Sequence, residues 1–221
     1  MVDTMTDFAV QREAMVERQL KRRGIQDRSI LEAFRSVPRE EFVAENFAHM
    51  AYADHPLPIE AGQTISQPYI VALMIEAAAV QATSKVLEIG SGSGYAAAVI
   101  SRIAAQVVGI ERQKDLVHVA RERLKRLGYE NIEIVEGDGT RGHPGHAPFD
   151  AILAAASGSH VPRSLVDQLA PGGRIVMPLG SPDWLQQLVK VTKLTDGTLQ
   201  QSELCGVRFV PLIGEEGWND A

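Results

Sequence analysis

Hydrophobic and polar positions along this chain change their period twice, and the two changes divide it into three parts. Over residues 7–23 the apolar side chains Phe8, Met15, Val16 and Leu20 recur near one helical face, and Gly24 stops the run. Asp27 has the chemistry of an N-cap for a second, short helix reaching Phe34. Val37-Pro38 ends that helix, because the residue before a proline is pushed out of the helical region. A loop with Asp54, Pro56 and Pro58 then leads to Ser66, whose hydroxyl is placed to cap a helix over 67–80.

From Lys85 onward short apolar runs alternate with amphipathic ones, predicting strands at 85–89, 106–111, 131–136, 149–154 and 173–178 and helices at 94–104, 113–127 and 161–169. Such alternation predicts a parallel sheet covered on both faces. Right-handed crossovers wind the 85–89 strand into the sheet's centre and put ligands at the C-terminal ends of the strands. The third part is strand-like again over 185–194 and 198–212, joined through the turn dipeptide Asp196-Gly197, which predicts a hairpin.

The expected fold is therefore α/β: a doubly wound, Rossmann-like sheet of seven strands, mostly parallel with an antiparallel C-terminal hairpin, after an N-terminal helical extension. A chain of 221 residues has room for one substantial core. We expect a single domain, with N-terminal helices and a loop in 1–82, the α/β core in 83–180 and C-terminal strands in 181–221. A hairpin appended after five βα units is the layout of class I methyltransferases, whereas NAD dehydrogenases repeat βαβ units in their second half.

The strand at 85–89 delivers one acid, Glu88, into the loop Gly90-Ser91-Gly92-Ser93-Gly94. Alternate glycines let the backbone turn sharply and lie flush against a ligand. The G-x-G-x-G spacing departs from the G-x-G-x-x-G fingerprint, in which a diphosphate rests on the helix N-terminus. Glu88 would repel a diphosphate but attract a cationic ligand, by roughly 1–4 kcal/mol at about 4 Å. S-adenosylmethionine, with its sulfonium and ammonium groups, is such a ligand. Glu111 ends the second strand, 21 positions after Gly90, where an acid accepts both hydroxyls of an adenosine ribose. The alternative is a solvent-facing acid at a helix start. Asp138, in Gly137-Asp138-Gly139-Thr140 after the third strand, reads either as an Asx turn or as a partner of the adenine amino group.

Composition narrows the picture further. No apolar run approaches the ~20 residues of a membrane span, and Asp3 and Asp7 interrupt residues 1–10, which do not read as a signal peptide. Cys205 is the only cysteine, so no intrachain disulfide is possible and a reducing, cytoplasmic location fits. It stands in a strand-like run with no histidine nearby and reads as a packing residue, as do Met50 and Met74. His49, His55, His118, His143, His146 and His160 show no metal-ligand spacing, and His143 and His146 read as solvated loop residues. A net charge of −6 argues against a nucleic-acid partner, and the one basic cluster, Lys21-Arg22-Arg23, complements the C-terminal end of a helix. Trp184, Trp218 and the segments 1–10 and 214–221 carry no motif.

One stretch, Gly62-Gln63-Thr64-Ile65-Ser66-Gln67-Pro68, is by pattern only a helix entrance. Together with Val37-Pro38-Arg39-Glu40-Glu41-Phe42-Val43, the glycine loop, Gly137-Asp138-Gly139, the runs 147–152 and 169–180, and Val207-Arg208-Phe209-Val210-Pro211-Leu212, it resembles the bacterial protein-L-isoaspartate O-methyltransferases over nearly the whole chain. Ser91 stands where many members have threonine, and Ala154-Ala155-Ala156 replaces a stretch often written with Val or Gly.

The resemblance implies a repair enzyme that moves a methyl group from S-adenosylmethionine to the free α-carboxylate of an L-isoaspartyl residue in damaged proteins and peptides, giving an ester that returns to aspartyl through a succinimide. It assigns the active-site role to Ser66, a hydrogen-bond donor to that carboxylate. It implies cofactor contacts from Gln63, Thr64, Ile65, Glu88, Gly90, Ser91, Gly92, Gly94, Glu111, Arg112, Asp138 and Gly139, and no metal. Val207, Arg208 and Phe209 are expected to offer main-chain groups to an extended peptide, or else to be sheet core. A methyltransferase for a small molecule or nucleic acid, and a cofactor-binding module without catalysis, are the competing readings.

Overall fold

The computed structural model describes residues 7–219. The first helix, α1 (Phe8–Met15), is capped by the Asp7 carboxylate, which accepts from the Ala9 and Val10 amides at 3.1 and 3.2 Å. The chain winds on through a wide turn at Val16–Leu20 and a tight one at Lys21–Arg23, until Gly24 ends it at φ 104°. Met15, Val16 and Leu20 are buried, as their spacing predicts. The basic cluster is occupied structurally: Lys21 pairs with Glu17, and Arg23 pairs with Asp54 while stacking 3.5 Å from the Tyr69 ring centroid. Asp27 caps α2 (Arg28–Ser36), its Oδ1 accepting from the Ser29 amide at 2.8 Å.

Two short strands, β1 (Leu57–Pro58) and β2 (Thr64–Ile65), pair antiparallel ahead of α3 (Pro68–Ala78). The helix corrects one expectation. Its N-cap is Gln67, without a side-chain cap, and Pro68 occupies the first helical position, where a missing amide costs nothing. Ser66 therefore stands one residue outside the cap.

The main sheet contains β3 (Lys85–Ile89), β4 (Gln106–Glu111), β5 (Ile132–Glu136), β6 (Phe149–Ala154), β7 (Leu169–Leu179), β8 (Gln186–Lys193) and β9 (Leu199–Val207). Its order is β5-β4-β3-β6-β7-β8-β9; the first five positions are mutually parallel, and β8 runs antiparallel to both its neighbours. Helices α4 (Tyr95–Ser101), α5 (Lys114–Arg126) and α6 (Arg163–Asp167) occupy crossovers. Adjacent residues of the parallel strands serve opposite faces. Val86, Val107 and Ala151 join a core with the N-terminal helices, α3, α4 and α5, whereas Leu87, Val108 and Ile152 pack with Leu165, Ile175 and Met177 on the other side. Burial on both faces is why these strands read as continuous apolar runs.

The hairpin forms as predicted at Asp196-Gly197, with Gly197 at φ 86° and the Thr198 amide donating to Asp196 Oδ1. Its second strand, however, ends at Val207 rather than Leu212. Gln186 grips the departing chain, donating to the Phe209 carbonyl at 3.0 Å and accepting from its amide at 2.7 Å. Residues 208–212 then turn away over the end of β6, where the Ser157 amide donates to the Val210 carbonyl and the Leu212 amide to the Ser157 carbonyl, both at 2.8 Å. The strand order reverses where β3 and β6 lie side by side, the switch point at which open α/β sheets bind ligands.

Candidate active site

At that switch point lies a cavity of about 870 Å³. Four segments distant in sequence line it: Gln63, Thr64, Ile65, Ser66 and Gln67 from β2 and the entrance of α3; Glu88, Gly90, Ser91 and Gly92 from β3 and its loop; Glu111, Arg112 and Gln113 after β4; and Val207, Arg208, Phe209 and Val210 from the departing tail. Gly139, Ala155 and Ala156 also line it. Every candidate residue is accordingly at the cavity except Gly94 and Asp138.

Those two stand back for identifiable reasons. Gly94, at φ 86°, ends the loop and starts α4, and a Cβ there would meet Leu124 Cδ1 of α5 at 3.3 Å, so its smallness serves helix packing. Asp138 closes an Asx turn, Oδ1 accepting from the Thr140 amide at 2.8 Å, while Oδ2 accepts from the Glu215 amide at 2.8 Å. These bonds outweigh the desolvation of its site and hold its pKa below the ordinary carboxylate value. The tail, from which no role was legible, is thereby tied down; Glu216 also accepts from the Ser164 amide and hydroxyl, and Trp218 Nε1 donates to the Ser157 carbonyl at 2.8 Å.

Glu111 is buried, not solvent-facing. Its Oε2 accepts from the Gly92 amide at 3.0 Å and its Oε1 from the Gln113 amide at 2.9 Å. A carboxylate offers about four lone-pair positions, so two are left for hydroxyl donors of a ligand. Glu88 is also buried, and its Oε2 has no hydrogen-bond partner. Burial pushes its carboxyl up to about 8, the Ser91 side chain opposing and the negative field of Glu111 adding to the rise. An uncompensated acid at the end of β3 is a site built to be neutralised, by a proton or by a cation.

The loop opposite is positioned by two arginines. Arg123 on α5 donates to the Ser93 carbonyl at 2.9 Å and pairs with Glu60 at 3.2 Å, joining the glycine loop to the turn before β2. Arg39, wholly buried, donates from Nη2 to the Ser66 carbonyl at 2.9 Å and from Nε to the Ala51 carbonyl at 2.7 Å. Sequence reading attached no role to either arginine, since nothing in the pattern shows what a guanidinium reaches across the fold. The other polar residues singled out stay structural. His143 and His146 are half-buried and stack edge-to-face 4.5 Å apart, and no group of three metal-type ligands occurs among the described residues. Cys205 is partly buried against the core, which raises its thiol pKa.

Known proteins resemble this chain in sequence and in fold. The sequence model of the family described as protein-L-isoaspartate(D-aspartate) O-methyltransferase matches residues 10–217. A curated protein-L-isoaspartate O-methyltransferase 2 of Pelobacter propionicus is 54% identical over 94% of this chain and 92% of its own. One from Rhodopseudomonas palustris, strain HaA2, is 52% identical over 98% of this chain and 88% of its own. Among solved structures, a protein-L-isoaspartate O-methyltransferase superposes with a TM-score of 0.85 at 33% identity, covering 93% of this chain and 67% of that one. A Plasmodium falciparum chain described by the same activity, solved in complex with S-adenosyl-L-homocysteine, has a TM-score of 0.78 at 31% identity, covering 91% and 98%. With its class I methyltransferase fold and its cavity at the β3/β6 switch point, the chain belongs to the protein-L-isoaspartate(D-aspartate) O-methyltransferase family.

Proposed function

We propose that this protein transfers a methyl group from S-adenosylmethionine to the free α-carboxylate of L-isoaspartyl residues in damaged proteins and peptides, with Ser66 holding the acceptor. The observation that carries the reading is the meeting of loop 62–67 and the glycine loop in one cavity. The residues suit the cofactor: Glu88 brings an unpartnered buried oxygen to a cationic group, Glu111 keeps two acceptor positions for ribose hydroxyls, and Gly90 and Gly92, at φ 79° and 52°, take left-handed turns that favour glycine. Gln63, Thr64, Ile65, Ser91, Arg112 and Gly139 line the same space. We keep Asp138 as an indirect contributor that fixes the Gly139 turn rather than as an adenine contact.

When bound, S-adenosylmethionine supplies a methyl group activated by a positively charged sulfur. The chain's own task is then orientation. An α-carboxylate has a pKa near 3.5, so the substrate arrives ionised and needs no general base. The Ser66 hydroxyl donates to one carboxylate oxygen and leaves the other free to attack; such positioning offsets on the order of 7–11 kcal/mol in ideal cases. Val207 and Arg208, which line the same cavity, present main-chain groups to an extended peptide without reading its side chains, while the Phe209 amide and carbonyl are held by the Gln186 side chain.

The expected partners are damaged proteins rather than nucleic acid, consistent with a net charge of −6. No helix among the described residues is long and apolar enough to cross a membrane. The single cysteine fits a cytoplasmic location. The deciding experiment offers methyl-labelled S-adenosylmethionine and two peptides that differ only in an isoaspartyl or normal aspartyl linkage. Base-labile label on the isoaspartyl peptide alone is expected; label on neither overturns the reading.

A further inference from the structure

Arg39 is a fully buried cation with no carboxylate paired to it among the described residues. A guanidinium in such a place costs stability, and an apolar side chain of similar volume commonly replaces a buried charge without loss. Its contacts show what it does instead. Nη2 donates to the Ser66 carbonyl at 2.9 Å, Nε donates to the Ala51 carbonyl at 2.7 Å, and the guanidinium carbon lies 4.6 Å from the centroid of the Tyr95 ring. Tyr95 is the first residue of α4, directly after the glycine loop. One planar group thus spans the entrance of α3, the segment before β1 and the end of the donor loop.

Arg39 is itself held. Its amide donates to the Tyr52 hydroxyl at 3.2 Å; that hydroxyl also accepts from Arg12 Nε at 2.7 Å and donates to Glu40, and Arg12 pairs with Glu40 at 2.9 Å. The N-terminal helix therefore sets the position of Arg39. We infer that Arg39 is a positioning residue for methyl transfer: by clamping the Ser66–Gln67 peptide plane against Ala51 and the Tyr95 ring, it aims the Ser66 side chain at the acceptor carboxylate. This inference rests on the proposed role of Ser66.

A double-mutant cycle tests it, with isoaspartyl peptide as acceptor and calorimetric titration of S-adenosyl-L-homocysteine beside the kinetics. Arg39→Met is expected to lower kcat by about 10- to 100-fold, because misplacement by about an ångström costs that much, while cofactor Kd moves far less. Arg39→Lys, which keeps the cation and one donor, should recover part of the loss. In a Ser66→Ala background Arg39→Met should cost no more than about twofold, since residues acting through one contact are not additive. Full multiplication of the two losses, or equal losses in kcat and cofactor affinity, overturns the inference and marks Arg39 as merely structural. Should Arg39→Met fail to fold, the same cycle is run with Arg39→Lys, and additivity there is equally fatal. Wild-type protein that leaves the isoaspartyl peptide unmethylated refutes the functional reading itself and takes this inference with it, an outcome distinct from an additive cycle in active enzyme.

Discussion

Glu111 Oε2 accepts the Gly92 amide at 3.0 Å, so the acid at the end of β4 shapes the glycine loop at the end of β3 before any ligand arrives. The two strands are parallel neighbours, with Ile89 beside Ile110, and their C-terminal ends open at the same level. The loop is thus preorganised by the residue proposed to bind the ribose.

Replacing that acid tests both roles. Glu111→Ala should weaken S-adenosyl-L-homocysteine binding chiefly, because each lost charge-assisted bond to a buried ribose is worth roughly 1.5–3 kcal/mol. Glu111→Gln, which keeps one acceptor oxygen, should fall between the two. Calorimetric affinity unchanged in Glu111→Ala would remove the ribose assignment.

Glu88 gives the site a pH dependence. Its carboxyl, held at about 8 mainly by burial, is protonated at neutral pH in the free protein. A bound cation favours the ionised form and lowers that pKa, so below about pH 8 binding must expel a proton and affinity rises with pH. The α-amino group of the ligand loses its own proton near 8. Glu88→Gln separates the two, since it should abolish proton release at pH 7, measured by calorimetry in buffers of different ionisation enthalpy. Stability follows the opposite course. The folded value lies above the ordinary carboxyl value of 4.5, so the protonated acid's advantage is full below 4.5 and is lost as pH rises through about 8. Melting temperatures of the ligand-free protein should therefore decline more steeply above neutrality in wild type than in Glu88→Gln.

How far these residues were legible depended on how local their work is. The glycine loop and the Asp27 cap follow from nearest-neighbour chemistry, and β3, β4 and β6 lie where the apolar runs predict. Ser66 was placed one step wrong as a cap, because Pro68 can start a helix by itself. Asp138 drew two readings that no pattern separates; its partner Glu215 lies 77 positions away. The end of β9 was overrun by five residues since the pull of Gln186 and Ser157 on residues 209–212 is purely tertiary. Arg39 was visible only as part of a motif.

Gly109 carries a constraint of a different kind from the loop glycines. It lies inside β4, and a Cβ there would stand 2.3 Å from Ser91 Oγ and 2.6 Å from Ile134 Cδ1. Gly109→Ala should destabilise the fold by about 1–3 kcal/mol, the usual range for overpacking, and should also weaken cofactor binding by displacing Ser91. A melting temperature and an affinity both equal to wild type would show that the loop yields without cost.

Ser66→Ala addresses the chemistry most directly. The residue lies outside the α3 cap and its side chain satisfies no end of the helix, so deleting the hydroxyl should leave folding nearly untouched. Ser66 lines the cavity from the entrance of α3 and is not part of the glycine loop, and cofactor affinity should change little. Turnover is where the loss belongs: a hydroxyl that holds one carboxylate oxygen matters only while the other attacks, so kcat should fall with little change in cofactor Kd. Steady-state methylation of an isoaspartyl peptide beside calorimetric titration separates the terms. Equal losses in turnover and affinity would mean that Ser66 shapes the cofactor site instead, and an unchanged kcat would end its role in holding the acceptor.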